Sequence, residues 1–227
     1  MSTNLIELKN IRKTYKNSAG VETQALKGVD LSVASGDFVA IIGPSGSGKT
    51  SLMSIIGLLD QKFEGEYFLE SKDVKKLSGN NAAELRNKKI GFVFQQFNLL
   101  PRTNVLQNVL LPTIYYSRKD DEERALSVIK SVGLVDKIDN QSNQLSGGQI
   151  QRVAIARALV MNPSLVLADE PTGNIDTKTA QDIMKLFKEI NNQGTTVVLI
   201  THESEIAASA KRLIYMRDGV VEKEIKT

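Results

Sequence analysis

Residues 43–50, with the sequence GPSGSGKT, have the residue types and spacing of a loop that binds phosphate groups. Glycines allow backbone N–H groups to point towards phosphate oxygens, at the positive end of the helix that is predicted to follow. In this pattern, Lys49 reaches the β and γ phosphates of a nucleotide and Thr50 binds Mg²⁺. The alternative is a simple turn rich in glycine and serine. The buried strand predicted at Phe38–Ile42 and the helix predicted at 51–59 favour the phosphate site.

A second phosphate-binding element is predicted at residues 145–149 (LSGGQ), where a serine and two glycines open a helix. A single nucleotide needs only one such cradle. Two cradles in one chain therefore indicate a site shared by two copies. One copy would supply the loop at 43–50, and the other copy would close over the nucleotide, as in an ATP-driven clamp.

Two carboxylates follow the apolar stretch 165–168, which is predicted to be a buried strand. At this position in a phosphate-loop enzyme, Asp169 would support the metal ion. Glu170 would polarise the water that attacks the γ-phosphate. The alternative is that these charges merely end a strand or cap a helix. The phosphate loop in the same chain favours the catalytic interpretation.

His202 is the only histidine of the chain, and it comes shortly after the apolar stretch 197–200. A lone histidine is more often structural than catalytic. This one, however, follows a strand that is predicted to lie beside the strand ending at Glu170. Open α/β sheets bind ligands at the carboxyl ends of their strands. We therefore predict that His202 lies at the nucleotide site.

Gln95 and Tyr15 are two further candidates. Gln95 ends the apolar stretch 90–94, and a glutamine there can bind the metal ion, orient water and respond to the γ-phosphate. Tyr15 could stack on an adenine, because aromatic faces bind bases favourably. An ordinary edge-strand tyrosine is the alternative for Tyr15. Neither residue identifies a site by itself.

The order of elements predicts an α/β core interrupted by a helical insertion. Strands are predicted at residues 5–8, 25–33, 38–42, 66–69, 165–168 and 196–200. Helices are predicted at residues 51–59, 105–111, 122–132, 149–160, 177–191 and 203–209. The second, third and fourth of these helices have no strand between them. A final hairpin is predicted to turn at Asp218 and Gly219.

Composition limits the classes of protein to consider. The 227 residues are enough for one substantial core, and a net charge of +3, spread along the chain, does not favour nucleic-acid binding. The lack of cysteine excludes disulfides and thiolate metal sites, and it fits a reducing cytoplasm. The N-terminus shows no signal segment, and no apolar run approaches the ~20 residues of a membrane span. Any work at a membrane is therefore expected to require a partner.

Taken together and in this order, the motifs resemble those of the ATP-binding subunits of ABC transporters over nearly the whole chain. The resemblance implies a P-loop NTPase (RecA-like) α/β core with an N-terminal antiparallel β subdomain and an inserted helical subdomain. It implies a single ATPase domain over residues 1–227. Residues 1–95 and 161–227 would form the core with its β subdomain, and residues 96–160 the helical subdomain.

The resemblance also implies a role for each motif residue. Glu170, His202 and Gln95 are expected to be catalytic, and Thr50, Gln95 and Asp169 are expected to hold Mg²⁺. The residues expected to contact ATP are Tyr15, Gly43, Pro44, Ser45, Gly46, Ser47, Gly48, Lys49, Thr50, Ser51, Ser146, Gly147, Gly148, Gln149 and Asp176. Residues 145–149 correspond to the signature of the family, and residues 173–176 to its D-loop.

Two stretches, 90–101 and 143–176, resemble the branch that contains lipoprotein-releasing, macrolide-exporting and antimicrobial-peptide-handling systems. The implied function is an ATPase that forms a homodimer around two ATP molecules and drives a separate transmembrane permease. The transported substance would be a peptide, lipoprotein or drug. The protein would be cytoplasmic and held on the inner face of the cell membrane by its permease. We expect the permease to dock on residues 97–101 and 104–111, unless this apolar segment packs beneath the helical insertion.

Two other functions use the same motifs. The first is a soluble clamp on nucleic acid, which is disfavoured because the chain has no long coiled coil, zinc module, second ATPase unit or basic stripe. The second is a regulatory ATPase of the cell-division type, which acts on a membrane protein without moving a substrate. That alternative shares every motif and stays open.

Overall fold

Strands and helices alternate along most of the chain in the computed structural model, which describes residues 4–16, 18 and 20–226. The strands are β1 (Asn4–Lys16), β2 (Glu22–Ala34), β3 (Phe38–Ile42), β4 (Glu64–Leu69), β5 (Lys72–Asp73), β6 (Ile90–Val93), β7 (Leu165–Asp169), β8 (Thr196–Thr201), β9 (Arg212–Arg217) and β10 (Val220–Lys226). The α-helices are α1 (Lys49–Ile56), α2 (Gly79–Lys89), α3 (Val105–Leu110), α4 (Asp121–Ser131), α5 (Gly147–Leu159), α6 (Thr177–Asn192) and α7 (Ser204–Ala207). Short 3₁₀ helices occupy Val74–Lys76, Leu111–Tyr115, Val135–Lys137 and Ser142–Gln144. Residues 1–3, which make up most of the N-terminus considered for a signal segment, lie outside the described part.

The main sheet has the strand order β10-β9-β3-β8-β7-β6. Its pairings are parallel except for the β9–β10 hairpin, which turns at Asp218 and Gly219 as predicted. The residues of β3 and β8 are all buried, as is typical of parallel strands covered on both faces. Because β7 pairs with β8, the residues that follow these two strands meet at one edge of the sheet.

The second sheet is antiparallel, in the order β2-β1-β4-β5, and it forms the N-terminal part of the predicted fold. Strand β4 begins at Glu64, earlier than expected, because Gly65 continues the strand with a φ of +96° instead of forming a turn. A Cβ at Gly65 would lie 2.5 Å from the carbonyl oxygens of Lys9 and Asn10. The two sheets together confirm the predicted α/β fold with an antiparallel β part.

The segment between β6 and β7 contains helices and no strand, and all of its residues are described. Helices α3, α4 and α5 lie within two residues of the predicted positions. Their buried residues Val109, Ile129 and Val153 belong to the same hydrophobic cluster as Ala40 and Val93 of the main sheet. The helical segment and one face of the sheet therefore share a continuous core. The subdomain boundaries at 95/96 and 160/161 stay a prediction.

Two helices differ from the sequence-based expectations. Helix α1 ends at Ile56 and not at residue 59, because Gly57 closes the helix and Leu58 takes a left-handed φ of +56°. Helix α2 was not predicted, because only Ala82 and Leu85 in it are buried and the apolar periodicity is weak. In the described part of the chain, no helix combines the length and the hydropathy that crossing a bilayer requires.

Candidate active site

The loop of residues 43–48 joins the central strand β3 to helix α1. Gly46 and Gly48 have left-handed φ angles of +79° and +97°, and Gly48 caps the helix. Gly43 is required for a different reason, because a Cβ there would lie 2.2 Å from the carbonyl oxygen of Met216 in β9. The loop thus packs against its neighbours at Gly43, whereas residues 44–46 are exposed.

Lys49 folds back over this loop. Its ammonium group donates hydrogen bonds to the carbonyl oxygens of Gly43 (2.7 Å) and Pro44 (2.9 Å). Burial lowers the pKa of Lys49, while the negative charges of Glu170 and Asp169 oppose that shift. The charges of the two carboxylates at the end of β7 therefore act on the loop lysine.

Ser47 provides a test of whether the loop is shaped for a ligand. Its side chain is buried, and its Oγ has no hydrogen-bond partner among the described residues. Its backbone N–H donates to Pro44 O (3.2 Å), and its carbonyl accepts from the N–H of Gly219 (3.1 Å). Buried polar atoms in proteins are normally satisfied, so this free hydroxyl fits a loop that takes a polar ligand. Thr50 is exposed and Ser51 half-buried, both at the start of α1.

Glu170 and His202 are in direct contact at the ends of β7 and β8. The Nδ1 atom of His202 lies 2.7 Å from Oε1 of Glu170, and the hydroxyl of Thr201 donates to the other carboxylate oxygen at 3.2 Å. Glu170 has a left-handed φ of +46°, and its N–H bonds to Ile200 O at 2.8 Å. The Glu170 carboxylate is thereby held between its own strand and the neighbouring strand.

The pKa values of Asp169 and His202 are both raised by their surroundings at these strand ends. Burial raises the pKa of Asp169, and the nearby charge of Glu170 raises it further, while Lys49 opposes both effects. The hydrogen bond that the His202 ring donates to the Glu170 carboxylate, together with the charge of that carboxylate, raises the pKa of His202 above the usual value. A cation placed beside Asp169 would favour its ionised form.

His202 gives a direct test of this geometry, since it is the only histidine of the chain. We expect an NMR titration of its ring to show a midpoint above the ordinary value of about 6.5. The protonated ring then persists to higher pH, because the Glu170 carboxylate stabilises the imidazolium. In Glu170→Gln the midpoint should fall.

The matched control for this titration is Glu203→Gln. Glu203 is exposed and makes a smaller contribution to the shift than Glu170 does. The Glu203→Gln midpoint should stay closer to that of the wild type. A Glu170→Gln midpoint equal to the wild-type midpoint would show that the two side chains do not interact in solution.

Gln95 lies beside the loop that follows Glu170. Its carbonyl oxygen accepts a hydrogen bond from the side-chain amide of Asn174 at 2.8 Å. A Cβ on Gly173 would lie 2.8 Å from Nε2 of Gln95, so the glutamine side chain packs closely on this glycine. The structure thus brings Gln95 to the segment that carries Glu170.

The signature begins helix α5 in the way the sequence predicted. Ser146 Oγ accepts the N–H of Gln149 (3.3 Å), and Oε1 of Gln149 accepts the N–H of Ser146 (2.9 Å), which forms a capping box. A Cβ on Gly148 would lie 2.3 Å from the methyl group of Thr179, at the start of α6. In the described part of the chain, no hydrogen bond joins residues 145–149 to residues 43–50.

Asp176 serves as the N-cap of helix α6. Its carboxylate accepts hydrogen bonds from the N–H (3.0 Å) and the hydroxyl of Thr179 (2.5 Å). These bonds lower the pKa of Asp176, with the hydroxyl bond as the larger cause. Within this chain its carboxylate therefore caps a helix, and its contact with ATP stays a prediction.

Tyr15 lies near the end of β1, with 43% of its surface exposed. The ammonium group of Lys13 lies 4.8 Å from the centre of its ring. The same ammonium group forms an ion pair with Asp60 (2.6 Å) and donates to Lys62 O (2.6 Å). Lys13 is thus held in place over the ring, and the exposed part of Tyr15 remains accessible to a base. The role of Tyr15 in binding adenine stays a prediction.

One residue at the site was missed by the sequence reasoning. Arg157 of α5 donates to the backbone just after Gln95. The sequence feature that could have identified it is the presence of an arginine within the otherwise apolar run of residues 153–160. Arginine is rarely buried without a partner, so its place in such a run indicates a specific contact.

The sequence profile described as "ABC transporter" matches residues 26–173 of this chain. The chain belongs to the ABC transporter family. Within that family it is an ATP-binding, ATP-hydrolysing cassette that uses ATP and Mg²⁺, as predicted. This ABC cassette contains both phosphate-binding motifs, at residues 43–50 and 145–149, and the contact between Glu170 and His202.

Several members of the ABC transporter family are similar to this chain. The ABC transporter ATP-binding protein YknY of Bacillus subtilis is 50% identical over 218 residues, which are 95% of this chain and 94% of YknY. The macrolide export ATP-binding/permease protein MacB of Bdellovibrio bacteriovorus is 49% identical over 220 residues. Those residues are 97% of this chain but 34% of MacB, so the cassette spans about a third of that relative.

A solved structure of an ABC cassette is also similar. The dimeric cassette MJ0796, in a post-hydrolysis state bound to ADP and Pi, superposes with a TM-score of 0.88 and is 46% identical. The match covers 97% of this chain and 98% of MJ0796. It confirms the fold over nearly the whole ABC cassette.

The residues of the cassette fit the nucleotide and the metal that the family uses. The glycine loop, the Lys49 ammonium group and the free Ser47 hydroxyl suit phosphate oxygens. Thr50, Gln95 and Asp169 offer the oxygen ligands that Mg²⁺ prefers. Burial and the neighbouring charge of Glu170 raise the pKa of Asp169, and a cation bound there would offset both effects. The assignment of ATP and metal contacts to individual residues stays a prediction.

Proposed function

We propose that this chain is the ATPase subunit of an ABC transporter, which works as a homodimer and drives a separate transmembrane permease. The observation that carries the proposal is the contact between Glu170 and His202 at 2.7 Å, opposite Lys49. Such a contact suits a base and a side chain that orients it, and it lies at the strand ends where open α/β sheets bind ligands.

Each side chain has a defined part in hydrolysis. Lys49 binds the β and γ phosphates, and Glu170 accepts a proton from the attacking water. His202, held by Glu170, contacts the γ-phosphate and keeps the surroundings of the water in place. Mg²⁺, when bound, neutralises charge that develops on the phosphate oxygens.

The homodimer follows from the placement of the signature. Ser146 opens helix α5, and the N-terminus of a helix of this length attracts anions. Its hydrogen bonds within this chain stay inside its own first turn. We infer that the signature of one copy completes the γ-phosphate site of the other, so that two ATP molecules join two copies. The similarity to a dimeric cassette supports this arrangement.

The similarity to macrolide-exporting proteins supports a role in the export or extraction of a drug, peptide or lipoprotein. Those relatives carry ATP-binding and permease parts in one protein, as their name states. We infer that this chain meets its permease as a separate protein, and that the permease holds it on the inner face of the cell membrane.

We infer that the docking surface for the permease lies beside the loop of residues 94–103, here called the Gln95 loop. A cavity of about 820 Å³ opens between α2, β6, α5 and the 3₁₀ helix Leu111–Tyr115. Its lining includes Phe92, Phe94, Pro112, Tyr115, Ala158 and Met161. Tyr115 and its neighbour Ile114 are 79% and 71% exposed. An apolar cavity beside exposed apolar side chains is typical of a surface that binds another protein.

Leu99 and Leu100 of the Gln95 loop differ in burial. Leu99 is partly buried and packs against the hydrophobic cluster of the helical segment, as the alternative interpretation of this segment expected. Leu100 is 46% exposed. Its backbone is held by Asn108, whose amide oxygen accepts the Leu100 N–H at 2.8 Å. A test of docking therefore belongs at Leu100 and not at Leu99.

Leu100→Glu is expected to prevent assembly with the permease, while ATP hydrolysis by the free subunit and its melting temperature stay near wild type. The exposed side chain contributes little to the core, and its backbone bonds do not depend on it. A carboxylate at an apolar interface would be desolvated without a partner, which prevents association. The measurement is co-purification of the subunit with a membrane protein from detergent-solubilised membranes, beside a melting curve.

The matched control is Leu126→Glu, at an exposed leucine on helix α4. Leu126→Glu should assemble like the wild type. Assembly of Leu100→Glu at wild-type level would rule out docking on the exposed part of the Gln95 loop. A large fall in its melting temperature would instead show that Leu100 is a core residue.

A further inference from the structure

Arg157 connects the signature helix to the Gln95 loop. It lies in the last turn of α5. Its two terminal nitrogens donate to two successive carbonyl oxygens of the loop, Nη1 to Asn98 O at 2.6 Å and Nη2 to Phe97 O at 2.8 Å. A guanidinium group is a planar fork with donors in fixed positions, so two parallel bonds fix both the position and the direction of the loop backbone.

This arginine is bound by backbone oxygens alone. Burial lowers the pKa of Arg157, and in the described part of the chain it forms no ion pair with a carboxylate. Removing a charge from water is unfavourable unless its donors are satisfied, and here the loop carbonyls satisfy them. The loop and the arginine are therefore mutually dependent.

The Gln95 loop is held by side chains and not by regular secondary structure. Residues 94–103 form no helix or strand, and Asn98 has a left-handed φ of +50°. Side chains from three directions hold its backbone. Asn174 binds Gln95 O, Arg157 binds the carbonyls at 97 and 98, and Asn108 binds Leu100 N–H. Of these three anchors, only Arg157 comes from the helix that begins at the signature.

We infer that Arg157 is a positioning residue that sets the place of Gln95 according to the orientation of α5. The inference rests on the proposed role of Gln95 at the nucleotide. Arg157 stands about 15 Å along the helix from the first turn, at 1.5 Å per residue. When a nucleotide draws Ser146 towards a partner copy, the rigid helix carries Arg157, and its two bonds carry the loop. Arg157 also lines the 820 Å³ cavity, so a protein bound there contacts the same connection.

The first test measures the loop and not the chemistry. The chain has no cysteine, so a cysteine introduced at the exposed Gln96 carries a nitroxide label at a single position. In an Arg157→Met background we expect a shorter rotational correlation time of the label by electron paramagnetic resonance. Arg152→Met is the matched control, because Arg152 is on the same helix and donates to Val132 O at 2.9 Å, away from the loop. Equal label mobility in the wild-type and Arg157→Met backgrounds would overturn the inference.

The second test asks whether Arg157 acts through Gln95. Arg157→Met should lower kcat by about 3- to 30-fold, with KM for ATP near wild type, as expected for a residue that transmits a coupling. Arg157→Lys, which keeps the charge and at least one donor, should recover part of this loss. The double variant Arg157→Met/Gln95→Ala should be no slower than Gln95→Ala alone. Losses that multiply in the double variant would show that Arg157 acts independently and would overturn the inference.

The two tests distinguish failure of the inference about Arg157 from failure of the proposed role of Gln95 at the nucleotide. If Gln95→Ala hydrolyses ATP like the wild type, the role of Gln95 fails and the inference fails with it. If Gln95→Ala is slow but Arg157→Met is not, only the inference about Arg157 fails. If the methionine variant does not fold, Arg157→Lys gives the comparison with a smaller expected loss, because lysine keeps the charge but cannot donate two parallel bonds from one planar group.

Discussion

Glu170→Gln is expected to reduce steady-state ATP hydrolysis by about 10²–10⁴-fold, which is the usual contribution of a general base. The amide has nearly the size of the carboxylate, so its contacts with Thr201 and His202 can persist. It is, however, a far weaker base and cannot accept the proton of the attacking water. ATP binding, measured at equilibrium, should stay close to that of the wild type.

Two further variants show whether the loss in Glu170→Gln is due to its role in hydrolysis. Lys49→Ala should weaken nucleotide binding itself, since Lys49 is the cation of the phosphate loop. Glu203→Gln removes an exposed carboxylate next to His202 and should hydrolyse ATP normally. Wild-type turnover in Glu170→Gln would remove the glutamate from the mechanism.

ATP is expected to convert the Glu170→Gln variant from a monomer into a stable dimer. The variant binds ATP and cannot hydrolyse it, so the nucleotide that joins the two copies remains in place. Because ATP bound between two copies stabilises only the dimer, association should depend on nucleotide concentration. Light scattering with and without ATP would show a doubling of mass.

The control for dimerisation is Ser146→Asp in the Glu170→Gln background. Aspartate caps a helix as well as serine does, so α5 should keep its first turn. Its negative charge, however, would repel the γ-phosphate of the partner copy. This double variant should bind ATP and stay monomeric. A mass that does not depend on ATP in Glu170→Gln would contradict the shared site.

Much of the fold could be predicted because its signals are local. The apolar runs of β3, β7 and β8 and the helical periodicities of α3–α6 predicted those elements to within two residues. Strand β1 was predicted only at residues 5–8 and strand β2 only at residues 25–33, because the rest of each strand has no regular apolar alternation. The contact between Glu170 and His202 could also be anticipated, since it requires only that two strands be parallel neighbours. The family, the fold and the ATPase function followed from motifs whose residues are close together in sequence, and the comparisons confirm all three.

The features that were missed depend on contacts between distant segments. Helix α2 buries only Ala82 and Leu85, and its clearest local signal is the Ser78 cap, whose hydroxyl accepts the N–H of Asn81 at 3.3 Å. The early end of α1 depends on Gly57, which has no room for a Cβ against the ring of Phe92. The bond from Arg157 to the Gln95 loop joins residues about sixty positions apart in sequence. No local pattern predicts such a pairing.

The continuous core between the helical segment and the sheet has a consequence for how the energy of ATP reaches a partner. Protein interiors are packed like crystals and do not deform smoothly, so movement of one packed layer over another takes place between discrete arrangements. Val93 in the sheet and Val109 in α3 belong to one cluster and would have to exchange neighbours together. We therefore expect the helical segment to have a small number of defined orientations. A permease docked on it would receive an all-or-none signal and not a graded one.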